Sequence, residues 1–198
     1  MADGIMGINQ PLDSDRRRVN MQGREPVLTH VKHEFDPVFD GQSEALILGT
    51  LPSVKSREQK FYYGHPRNRF WEVIAGLYGE NRPETIAEKK ALLLAHHIAL
   101  WDVIAECDIE GSSDSSIRNV VPTDLSIILE HAPVRRIFAN GTKAYELYQK
   151  YSYPKTGMEI CKLPSTSPAN AAFRMERLLE AWGEIKVEKR LKKDKFTT

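Results

Sequence analysis

Ala45-Leu46-Ile47-Leu48-Gly49-Thr50-Leu51-Pro52-Ser53 is a continuous apolar run that stops at a glycine and a proline-containing turn. Four apolar residues in a row, without alternation, read as a strand buried on both faces, as in a parallel sheet. The pattern recurs toward the C-terminus. Residues 98–104 and 134–139 are further strand candidates, the latter ended by Asn140-Gly141, and residues 159–163 run into Pro164-Ser165-Thr166-Ser167-Pro168-Ala169-Asn170. Helical spacing marks the stretches between them. It covers 68–77 (Phe70, Val73, Ile74, Leu77), 84–96, 123–130, 143–151 and 170–189 (Phe173, Leu178, Leu179, Trp182). This alternation predicts an α/β fold: three layers, α/β/α, around a central, mostly parallel four-stranded sheet. In such sheets ligands bind beyond the carboxyl ends of the strands. The turns at 49–53, 140–141 and 164–170 would all meet there.

The bulk properties suit that reading. The chain has 198 residues, 41% of them hydrophobic and 28% charged, which is one ordinary globular domain. No apolar run approaches the roughly 18 residues that span a bilayer, and no secretory signal is evident. Two widely spaced cysteines, Cys107 and Cys161, offer neither a disulfide framework nor a metal-ligand spacing, and predict a reducing compartment. Residues 1–30 read as a poorly ordered leader, 31–185 as the folded domain and 186–198 as a basic tail. The net charge is only +1, but Lys55, Arg57, Lys60, Arg67 and Arg69 cluster around the first turn. A local basic face is what a nucleic-acid enzyme needs.

After the first turn comes Tyr62-Tyr63-Gly64-His65-Pro66-Arg67-Asn68-Arg69-Phe70-Trp71. Together with residues 49–53, Phe138-Ala139-Asn140-Gly141 and Leu163-Pro164-Ser165, it resembles the active-site motifs of the uracil-DNA glycosylase superfamily, over residues 40–182. Two positions depart from the family pattern. Leu51 stands where an Asp or Asn usually precedes the proline, and Leu163 stands where the second motif usually begins with His or Asn. The chain is similar instead to the hypoxanthine-DNA glycosylase branch. The resemblance lies in the Tyr-Tyr…Asn-x-Phe-Trp segment, Trp101-Asp102-Val103, residues 111–117 and residues 164–170.

The resemblance implies a monofunctional glycosylase that hydrolyses the N-glycosidic bond of deoxyinosine in damaged DNA, with no cofactor and no metal. The implied enzyme is a monomer, away from membranes, cytoplasmic and nucleoid-associated in a prokaryote. Asn68 would take the catalytic position. An amide can hold water as an acceptor and contact the departing base as a donor; Asn is also a favoured helix N-cap. Tyr63 would stack on the flipped base, beside Gly49, Thr50, Leu51, Asn140 and Leu163 as base-binding residues. Asn140 either reads the base edge or supplies the turn that Asn-Gly favours. Ser53, His65, Ser165 and Ser167 would meet the DNA backbone, although serines in such turns also serve as caps. Phe173 reads as core, and Asp102 as a strand-end acid. Two rival readings keep the fold: a uracil glycosylase, and a nucleic-acid-binding module without catalysis.

Overall fold

The computed structural model describes residues 28–111 and 113–186. The expectation of a leader therefore falls almost wholly outside the described residues, as does that of a basic tail beyond Lys186.

The central sheet has four parallel strands in the order β3 (Ile98–Asp102), β2 (Ala45–Gly49), β6 (Arg136–Asn140), β7 (Ile160–Leu163). Every residue of β2 and β3 is buried, which is why both read as apolar runs up to their last residue. Helices cover the sheet. Along the chain come α1 (Val54–Gln59), α2 (Phe70–Tyr78), α3 (Ile86–Ala95), α4 (Ser126–Leu129), α5 (Thr142–Tyr151), α6 (Tyr153–Thr156) and α7 (Met175–Trp182). Helix α3 packs on β3, α5 on β6 and β7, and α2 against α7. The three-layer arrangement expected from the alternation is present.

The sequence reading missed a second sheet. Residues 98–104 are not one strand: β3 ends at Asp102, and after Val103 the chain enters β4 (Ile104–Ile109). Strand β4 is the centre of an antiparallel sheet with β1 (Thr29–Lys32) and β5 (Arg118–Pro122). The switch is held by Val103 N donating to Gly49 O and Ile104 N to Thr50 O. Thr123 clamps the same turn, its N–H on Val103 O and its hydroxyl on Asp102 O at 2.7 Å. Two helices are shorter than their apolar spacing suggests. The segment at 123–130 becomes helix only from Ser126, whose N–H is capped by Asp124. The terminal one begins at Met175, because residues 165–173 are a tethered loop, and gives way to a 3-10 turn at Gly183–Ile185.

Two tryptophans tie the core to the turns at the sheet's edge. Trp71 and Trp182 are almost wholly buried. Their indole N–H groups donate to Tyr62 O at 3.2 Å and Pro164 O at 2.9 Å. A buried aromatic with its polar handle satisfied contributes packing and position together. Removing such a ring typically costs about 3–5 kcal/mol.

Strand register sets the heights of the strand ends. Gly49 pairs with Asp102, Leu48 with Ala139, and Asn140 with Leu163. Asp102, Gly49, Asn140 and Leu163 therefore form one row across the sheet, at its carboxyl edge.

Candidate active site

A cavity of about 460 Å³ opens above that row, a size typical of ligand sites. Every residue read from the sequence as a site residue lines it, apart from Leu163. Leu163 is 3% exposed and packs into the core below, where its carbonyl accepts from Gly141 N. Tyr62, which the sequence marks as a pocket-wall or core aromatic, lines the cavity too, and the sequence reading did not anticipate Asp102, Ile109 and Gly111, which also line it.

Tyr63 sits at φ 53°, in the left-handed region that bulky residues rarely occupy. That conformation lays its ring on Phe70, with centroids 3.9 Å apart and planes within 20°. Its hydroxyl is buried without a hydrogen-bond partner among the described residues. Burial pushes the Tyr63 phenol well above its ordinary pKa, and the negative charge of Asp102 adds to the rise. Asn140 pulls the other way, close enough to influence the phenol but not placed to complete a hydrogen bond. The hydroxyl therefore keeps its proton and remains a donor.

Asn68 is fixed by a relay. Asn140 Oδ1 accepts from Thr166 N at 3.0 Å, which turns the Asn140 amide so that Nδ2 donates to Thr166 Oγ1 at 2.9 Å. The Thr166 hydroxyl must then donate to Asn68 Oδ1, also at 2.9 Å. Phe70 N donates to the same oxygen at 3.0 Å. Both acceptor positions of Oδ1 are engaged, which leaves the Asn68 Nδ2 group, a pure donor, as the part of the side chain available to a ligand. Thr166 is wholly buried.

Arg69 does not serve the role its position suggested. Its guanidinium donates to the carbonyls of Phe173, of Ser167 at 3.3 Å and of Asn170 at 2.9 Å, and its backbone N–H donates to Thr166 O. It staples the second motif to the start of α2 instead of facing outward. Ser53 caps α1, Ser165 Oγ accepts from Ser167 N, and Ser167 Oγ accepts from Ala169 N, so the three serines perform the turn chemistry weighed for them. His65 Nδ1 accepts from Arg67 N.

A further polar group of the cavity is Asp102. Its Oδ2 accepts from His33 Nε2 at 3.0 Å, and the two side chains are 6% and 4% exposed. The His33 ring is seated between Phe35, 4.4 Å away, and Tyr62, 5.8 Å away. Asp102 Oδ1 lies against Gly49. A Cβ at Gly49 would stand 2.1 Å from Oδ1 and 3.0 Å from the Tyr63 hydroxyl, so only glycine fits there. Among the described residues no group of three or more His, Cys, Asp or Glu is placed to hold a metal ion, and no helix is long and apolar enough to cross a membrane.

Comparison with known proteins agrees with the geometry. Residues 37–186 match the model of the uracil DNA glycosylase superfamily. A hypoxanthine DNA glycosylase of Methanosarcina acetivorans is 41% identical over 149 residues, 74% of this chain and 93% of that protein. A hypoxanthine DNA glycosylase of Methanosarcina barkeri is 35% identical over 155 residues, 77% of this chain and 96% of that one. The solution NMR structure of a Methanosarcina acetivorans protein described as a uracil DNA glycosylase superposes with a TM-score of 0.65 at 36% identity. It covers 77% of this chain and 97% of its own.

Proposed function

The chain belongs to the uracil DNA glycosylase superfamily, and from that premise we propose that it is a DNA glycosylase that hydrolyses deoxyinosine, releasing hypoxanthine and leaving an abasic site. Breaking an N-glycosidic bond builds positive charge on the sugar and negative charge on the leaving base. Such a reaction gains most from donors fixed in advance at the point where the anion forms. The base would leave the duplex, enter the cavity and stack on Tyr63, whose ring Phe70 supports from behind. Asn68 Nδ2 would donate to the base as it departs. The relay through Thr166 and Asn140 holds that amide before the substrate arrives, so little reorganisation is left for the reaction step.

The observation that carries the reading is this amide, with its oxygen doubly engaged, beside an apolar Leu51 that lines the same cavity. The acceptor half of the Asn68 chemistry weighed from sequence is therefore set aside in favour of the donor half. Damaged DNA is the partner, and we assign the active species as a monomer in the compartment that holds the DNA.

Single-turnover assays on otherwise identical duplexes carrying hypoxanthine, uracil, xanthine or adenine test the proposal. Hypoxanthine should be excised fastest and adenine hardly at all. Faster excision of uracil would make this a uracil glycosylase, and binding without excision of any base would make it a binding module.

A further inference from the structure

Asp102 and the Tyr63 hydroxyl are buried, polar and unused by the chemistry above. Asp102 Oδ2 is taken up by His33, but Oδ1 receives no hydrogen bond from any described residue. The Tyr63 hydroxyl has none either. Both atoms abut the same point, the space that a side chain on Gly49 would fill, and both residues line the cavity. A buried polar atom without a partner is costly, and native proteins rarely retain one unless a ligand or water completes it. The Tyr63 hydroxyl is one such atom, a donor, and beside it stands Asp102 Oδ1, a carboxylate acceptor on a residue that lines the same cavity.

We infer that Asp102, braced by His33 and set beside the Tyr63 hydroxyl, is the specificity-determining edge of the cavity, and that it recognises a ring N–H next to a carbonyl. This deepens the glycosylase reading and rests on it. An acceptor there complements the lactam edge of a 6-oxopurine, whose N1–H would meet Asp102 Oδ1 while its ring lies on the face of Tyr63. Deamination creates that edge. The amino parent presents a lone pair at N1 and an amino group at position 6. A carboxylate cannot donate to that lone pair. The acid is therefore the discriminating member, and His33 is its positioning residue. Sites that hydrogen-bond a substrate group in this way reject the analogue lacking it by on the order of ten-thousandfold. Gly49 belongs to the same device, because a Cβ there would overlap Asp102 Oδ1 and displace the acid.

Wild-type protein should excise deoxyinosine at least about a hundredfold faster than 1-methyldeoxyinosine, which lacks the N1–H. Equal rates on the two would overturn the inference without recourse to any variant. Free bases provide a second arm that does not depend on catalysis. Bound to an abasic-site duplex, the wild type should take free hypoxanthine more tightly than free adenine. Asp102→Asn keeps the shape and an oxygen for His33, but it places an amide that can donate where the acid could not. Its preference for hypoxanthine over adenine should fall by roughly tenfold or more. An unchanged preference in an Asp102→Asn protein that melts lower would reduce the His33–Asp102 pair to a structural tie. If the wild type excises no base at all, the glycosylase reading fails. The free-base preference would still decide the inference, and equal affinity for the two bases would end it.

Discussion

Replacing Asn68 by Asp separates the two chemical roles an amide can play. Asp keeps an oxygen for Phe70 N and for the Thr166 hydroxyl, so the local fold should hold and the melting temperature should move by no more than about 4 °C, the equivalent of ~1 kcal/mol. The change exchanges the Nδ2 donor for a second oxygen. Losing one preorganised donor to a developing anion typically costs roughly 10²–10³ in rate, or about 2.7–4 kcal/mol. A carboxylate about 4 Å from that anion adds a repulsion of up to ~4 kcal/mol at an effective dielectric constant near 20. Asn68→Asp should therefore fall at least about a hundredfold below wild type and should be slower than Asn68→Ala, which loses the donor without adding a charge. Were Asn68 instead an acceptor that orients water, Asp would serve as well or better. The assay is single-turnover excision from a deoxyinosine duplex at pH 8, where the carboxyl group is ionised. An Asp variant that matches wild type, or exceeds the Ala variant, refutes the donor assignment and returns Asn68 to the attacking water.

Two other outcomes follow from the geometry. Arg69→Ala should cost about 3 kcal/mol, since it strips charged hydrogen bonds from three loop carbonyls. The melting temperature should drop by about 6–12 °C, while the slope of log affinity against log salt for DNA stays unchanged. A slope reduced by about 0.9 would mean that Arg69 meets a phosphate after all. Tyr62 and Tyr63 both have phenols raised by burial, and by the charge of Asp102, above the ordinary 10.0. A folded-state pKa above the unfolded value means that the stabilisation is complete below pH 10 and is lost as pH rises further. The melting temperature should therefore decline steeply above about pH 10, and less steeply in Tyr63→Phe. That variant should be no less stable than wild type at pH 7, because it deletes a hydroxyl without a partner. An identical alkaline decline in Tyr63→Phe would remove Tyr63 from the account.

The strands of the parallel sheet were legible because burial on both faces leaves nothing polar before the last residue of the run, as β2 and β3 show. The outer sheet was not. Only Val31 of β1 is buried, and β5 has no buried residue, so neither carries an apolar signature. The cavity was legible through its turns, each marked by Gly, Pro or Asn. Its polar wiring was not, because it depends on atoms far apart in the chain. His33 lies 69 residues from Asp102, and Thr166 lies 98 from Asn68. Arg69 read as a DNA contact because sequence shows a charge but not the direction in which it points. Asn68 is instructive in another way. Capping and chemistry looked like competing readings, yet Arg69 holds the N-cap position of α2, while the Asn68 oxygen takes the Phe70 N–H and its nitrogen is left for the chemistry.

The row of strand ends also acts as a ruler. Neighbouring strands lie about 4.8 Å apart because their backbones are hydrogen-bonded, whatever their side chains. Asp102 and Asn140 flank Gly49 in that row, so their backbones stand about 10 Å apart with no side chain between them. No substitution along these strands can change that backbone spacing while the ladders hold. Diversification of such a site is confined to the atoms that face the slot from either end. A descendant of this protein can change which base edge it recognises, but the aperture remains a property of the peptide backbone.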